Sequence, residues 1–153
     1  MKQKIIYFHG LESKQGGSKT DFLAKKHYVL APEMDYKDPN LFKYALELVN
    51  SFKPDLIVGS SMGGYFAYTI ATHTKTPVVL LNPALHSRKF QPEGVYEGSN
   101  EVVGVMINGS EDDVIDPLIT AKMLSKSIAK GQMKYYLGDH GHRTPLKIFE
   151  DYL

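Results

Sequence analysis

Six short apolar runs punctuate the chain: Ile5 to Phe8, Tyr28 to Ala31, Leu56 to Val58, Val78 to Leu81, Val102 to Ile107 and Met133 to Leu137. Each has strand length, and several are apolar on both faces, the pattern of a strand covered by helices on each side. The segments between them carry helix punctuation. Ser18 with Asp21 three residues on reads as a capping pair for a helix to about Lys26, and Asp38-Pro39 and Asp116-Pro117 each place an N-cap before a proline at the first helical position. Leu41, Ala45, Leu48, Val49 and Phe52 form an apolar stripe that stops before Pro54, and the helix opened by Pro117 is expected to run to Gly131. Strand and helix in alternation imply parallel pairing through right-handed crossovers. The expected fold is therefore α/β: a doubly wound, mainly parallel six-stranded sheet with helices on both faces. Ligands in such sheets bind beyond the carboxyl ends of the strands, and the loops there are where chemistry is to be sought.

One connection stands apart by its length. Residues 82–101 separate two strands and hold two prolines, two glycines, His86, Arg88, Phe90 and Tyr96. A loop this long is functional, mobile or home to a short helix. It is the candidate for a rudimentary lid. No internal repeat and no composition break divides the chain, so a single domain over 1–153 is expected.

Charge narrows the partners. Eighteen Lys and Arg against seventeen Asp and Glu leave a formal net charge of +1, without the basic excess of a nucleic-acid binder. The four strongly apolar residues after Lys4 are too few for a signal peptide or a membrane span, and a cytoplasmic location is expected. The absence of cysteine removes disulfides, thiol nucleophiles and thiolate metal sites. Oligomeric state has no signature here.

The run from Asp55 to Val58 leads directly into Gly59-Ser60-Ser61-Met62-Gly63-Gly64, followed by a helical segment from Tyr65 to about His73. This is Gly-x-Ser-x-Gly at a strand-to-helix junction, where a sharp turn exposes the serine hydroxyl above the sheet. Gly63, Ala67 and Ala71 form a small-residue stripe that lets the helix pack closely. Ser61 is the candidate nucleophile; Ser60 lacks glycine at both two-residue offsets. A serine needs a base, and the base needs an acid to orient it. Acids follow one later strand in Glu111, Asp112 and Asp113, and histidines follow the last strand in His140 and His142. Asp116 is better placed as a helix cap.

Five motifs in order span nearly the whole chain: Tyr7-Phe8-His9-Gly10-Leu11 with Gly17-Ser18-Lys19, then Gly59 to Gly64, Leu81-Asn82-Pro83-Ala84, Gly109-x-x-Asp112-x-Val114, and Gly138-Asp139-His140. With them the sequence resembles the small YqiA-like esterases within the α/β hydrolases. The resemblance implies a reduced α/β-hydrolase core without a cap domain. It also implies hydrolysis of a small-molecule carboxylic ester or thioester through an acyl-enzyme, with no cofactor and no metal. By motif match Ser61 is the nucleophile, Asp112 the acid, in preference to Asp113, and His140 the base, in preference to His142. The oxyanion hole would use the backbone N–H groups of Leu11 and Met62.

Other classes fare less well. His140-Gly141-His142 is a chelating pair without further ligands. Gly16-Gly17-Ser18-Lys19-Thr20 after a first strand suggests a phosphate loop, but Gln15 stands where the required spacing after Gly10 needs glycine. A nucleotide-binding α/β protein and a non-catalytic hydrolase-fold binding module remain the alternatives. No nucleic acid or membrane partner is expected.

Overall fold

Val78, Val79, Leu80 and Leu81 are all buried, as a strand sandwiched between helix layers requires. The computed structural model, which describes residues 1–153, places them at the middle of one six-stranded sheet. Its strands are β1 (Lys4–Phe8), β2 (Tyr28–Leu30), β3 (Leu56–Ser60), β4 (Val78–Leu81), β5 (Gly104–Gly109) and β6 (Met133–Gly138). They lie in the order β2-β1-β3-β4-β5-β6, and every neighbouring pair is parallel. The expected doubly wound α/β sheet is what forms. Chain direction across the sheet reverses between β1 and β3, so the crevice above their carboxyl ends is the switch point where such folds bind ligands.

Alternation along the strands sorts the core into two layers. Ile6, Phe8, Ile57, Leu80 and Met106 face α2 (Leu41–Phe52) and α3 (Met62–Thr74), where Phe42, Ala45, Phe66, Ala67 and Ile70 meet them. Ile5, Tyr7, Val58, Val79 and Ile107 face the other way, against Leu23 of α1 (Ser18–Ala24) and Phe149 of α6 (Leu146–Glu150). The small-residue stripe is needed where α3 crosses β1: a Cβ on Gly63 would stand 2.0 Å from the carbonyl oxygen of Phe8.

Three of the helix boundaries differ from expectation. Ser18 is the first residue of α1 rather than its cap, a position taken by Gly17. Asp38 accepts from the backbone N–H of Asn40 in a preceding turn, so α2 opens at Leu41. The helix opened by Pro117 breaks at Leu124 into α4 (Pro117–Met123) and α5 (Ser125–Ala129), although Asp116 does cap it by accepting from Leu118 N–H at 2.9 Å. The long 82–101 segment contains no helix. Its second half is tied to α3: Thr72 accepts from Asn100 N–H and Gly98 N–H, and Tyr96 stacks edge-on against His73 and Phe42. No cap domain interrupts the core, and no helix is long and apolar enough to cross a membrane.

Candidate active site

Ser61 is the single residue between β3 and α3, and its backbone is held at φ 53°, ψ −113°. That region is costly for any residue with a Cβ and persists where the surroundings enforce it. Here the glycines two residues either side enforce it, since a Cβ on Gly59 would lie 2.2 Å from the Gly63 carbonyl oxygen. The turn lifts the Ser61 hydroxyl above the sheet. Its backbone N–H stays in register, donating to the Leu81 carbonyl at 2.9 Å.

The carboxylate comes from the loop after β5. Asp112 Oδ1 accepts the N–H groups of Val114 and Ile115, both at 2.9 Å, and its side chain is 1% exposed. Two backbone donors orient the carboxylate and leave Oδ2 facing the serine side. Asp113, by contrast, is exposed at the cavity rim.

The histidine between them is His142, and the expectation of His140 is corrected. His142 Nε2 lies 2.9 Å from Ser61 Oγ, and its Nδ1 lies 2.9 Å from Asp112 Oδ2. His140 points down instead, buried over the ends of β5 and β6, where its Nδ1–H donates to the Gly141 carbonyl and its Nε2 has no partner. It fills space that the glycines of those strand ends leave: a Cβ on Gly138 would sit 2.6 Å from its ring. Geometry explains the choice. β6 is three strands from β3, roughly 14 Å across the sheet, and two further residues extend the chain by up to about 7 Å toward Ser61.

Asn82, at the end of β4, holds that path in place. Its Nδ2 donates to the His142 carbonyl at 2.8 Å and to Thr144 Oγ1 at 3.0 Å, while its Oδ1 accepts Gly109 N–H at 2.7 Å. The histidine loop and the strand leading to Asp112 are thus fastened to one buried amide. The Leu81-Asn82-Pro83-Ala84 motif marked the residue, but without a role. Its signal is the positive φ of 43°, which asparagine tolerates better than most residues.

His9 does comparable work on the loop after β1. It is buried, donates Nδ1–H to the Gly10 carbonyl at 2.8 Å, and accepts Met34 N–H on Nε2 at 2.9 Å, which fixes its tautomer. The Tyr36 hydroxyl donates to the His9 carbonyl. Leu11 follows directly, and neither its N–H nor that of Met62 is used within the protein. Both residues line the cavity over Ser61. Burial beside Ser60 pushes the pKa of the Tyr7 hydroxyl up to about 12.

That cavity holds about 360 Å³ and is lined by Leu11, Met62, Ala84 and Ile115 beside the polar groups. Arg88 is at its edge, but its guanidinium is occupied: it donates to the carbonyls of Ala84 and Leu85 and stacks over the Tyr65 ring at 4.0 Å. No three histidine, aspartate or glutamate side chains converge as a metal site would need.

Comparison with known proteins places the chain and its fold. Residues 4–102 match the family described as Uncharacterised protein family (UPF0227). Among solved structures, a protein of the alpha/beta superfamily from Xanthomonas campestris pv. campestris is 21% identical, with TM-score 0.72 over 98% of this chain and 93% of that one. The N-formylmaleamic acid deformylase of Pseudomonas putida S16 is 13% identical, with TM-score 0.71 over 99% and 92%. An α/β serine hydrolase without a lid from Xanthomonas campestris is 15% identical, with TM-score 0.57 over 93% and 74%. At these identities the likeness is one of fold, and the fold is that of the α/β hydrolases.

Proposed function

The chain belongs to the UPF0227 family and has the α/β-hydrolase fold, and from that premise we propose that it is a serine hydrolase cleaving carboxylic esters or thioesters of small molecules. The observation that carries this reading is the unbroken chain of contacts from Ser61 Oγ through His142 to Asp112, each link 2.9 Å long. The kinds of protein sharing the fold, a deformylase and a lidless serine hydrolase among them, agree with hydrolysis.

In this mechanism Ser61 Oγ attacks the substrate carbonyl carbon as His142 Nε2 takes its proton. Nδ1–H donates to Asp112 Oδ2, which fixes the tautomer and stabilises the imidazolium without itself being protonated. The charge that develops on the carbonyl oxygen is met by the free N–H groups of Met62 and Leu11. Each such donor is worth about a hundredfold to a thousandfold in rate, because it acts only as the oxyanion forms. His142 then returns the proton to the departing alkoxide or thiolate, leaving acyl-Ser61. Water, deprotonated by His142, releases the acid by the same route.

A fluorophosphonate probe should label Ser61, and hydrolysis of 4-nitrophenyl butyrate should be lost in Ser61→Ala. Labelling at another residue, or full activity in that variant, would overturn the reading.

A further inference from the structure

A second cavity, of about 380 Å³, opens beside the one over Ser61, and the two share Gly10, Glu12, Ser13, Ser60 and Arg143 as a common wall. Its character is different. Tyr7 is the one hydrophobic residue among its fourteen lining residues, and three cations, Lys14, Lys19 and Arg143, face it against a single acid. That acid, Glu12, is exposed and turned toward Lys89, with 3.8 Å between Oε1 and Nζ. Lys19 and Arg143 take part in none of the protein's ion pairs, and no side-chain hydrogen bond uses either.

We propose that Lys19 and Arg143 form an anion-binding subsite of the active site, and that the preferred substrates are esters bearing a carboxylate or phosphate group. This rests on the serine-hydrolase reading and specifies its substrate class. Two like charges brought together without a counterion destabilise a fold, and an anion between them removes that cost. The Lys19 ammonium already shows the strain: burial, and secondarily the Arg143 charge, hold its pKa below the ordinary lysine value. A guanidinium matches the two oxygens of a carboxylate or phosphate in a planar fork, and the lysine adds a movable point charge.

The subsite is registered to the reacting serine. Arg143 directly follows His142, and Thr144 is clamped to Asn82, so the loop that sets the base also holds the backbone from which the guanidinium extends. Lys19, on α1, lines this second cavity and not the one over Ser61, apart from the Ser61–His142–Asp112 contacts. An ester whose anionic end occupies the polar cavity would therefore have its reactive carbonyl in the adjoining one.

The test pairs charged esters with neutral ones of similar size. For a carboxylate, 4-nitrophenyl hydrogen glutarate is compared with its methyl-capped form; for a phosphate, butyryl glycerol 3-phosphate is compared with monobutyrin. The expected result is that kcat/KM favours the charged member of at least one pair, which also identifies the anion. The preference should fall by at least about tenfold in Lys19→Met and in Arg143→Gln, the size of losing one charged hydrogen bond. Equal preference in wild type and both variants would overturn the subsite. Binding is read without catalysis by titrating Ser61→Ala with glutarate and with inorganic phosphate. Saturable binding weakened by Lys19→Met supports the subsite even if no ester is turned over, an outcome that would sink the hydrolase reading alone. No saturable binding of either anion would sink the subsite alone.

Discussion

His140 and His142 carry the same imidazole two positions apart, and what separates their roles is the path of the chain after β6. The first ring packs inward over Gly138 and Gly109; the second reaches across the sheet to Ser61. Substitution should separate the two roles. In His142→Gln the hydrolysis of 4-nitrophenyl butyrate should fall by about 10⁴ to 10⁶-fold, the cost of removing the base of a serine triad. His140→Gln should retain turnover within about tenfold, yet lose about 1–3 kcal/mol of stability through disturbed packing, a drop of several degrees in melting temperature for a chain of this size. Steady-state kinetics and a thermal melt on both variants check this, and the reverse pattern would return the role of base to His140.

At the level of elements, the strands were readable and the loops between them only partly so. An apolar run such as Val78 to Leu81, only four residues long and opening on two valines, reads as a strand buried on both faces. The sharp turn at Ser61 was readable for a different reason, its glycines being required by contacts with neighbouring backbone. His142 was not, because the motif spacing counts residues and cannot show that the chain must still cross from β6 to β3. Lys19 and Arg143, far apart in sequence, line one cavity only because α1 and the histidine loop flank it. Asn82 is the clearest case of a residue whose role exists only between elements, since it joins β4, β5 and the loop after β6. Asn82→Gly keeps its left-handed backbone free of strain while removing the amide. Turnover should fall about a hundredfold, as expected for a base displaced by an ångström, with KM changed by no more than a few fold. A KM that rises with kcat intact would assign Asn82 to substrate contact instead.

The whole molecule leaves its site open. The segment where a cap would be inserted, residues 82–101, spends its second half bound to α3 and α2, with Tyr96 against His73 and Phe42 and with Thr72 accepting from Gly98 and Asn100. Its first half does reach the cavity, but Arg88 fastens it to the carbonyls of Ala84 and Leu85. Nothing in this arrangement has to swing aside before substrate meets Ser61, and His142 remains 24% exposed. A covering segment that opens at a lipid surface produces a jump in rate once a substrate exceeds its solubility, because the closed state is then depopulated. This protein should show no such jump. Initial rates on tributyrin, followed from well below to well above saturation, should trace one hyperbola through the solubility limit. A several-fold step at that limit would mean that residues 84–89 close over Ser61 in solution and that the fastening by Arg88 is one of two states; Arg88→Met would then abolish the step by leaving the segment permanently loose.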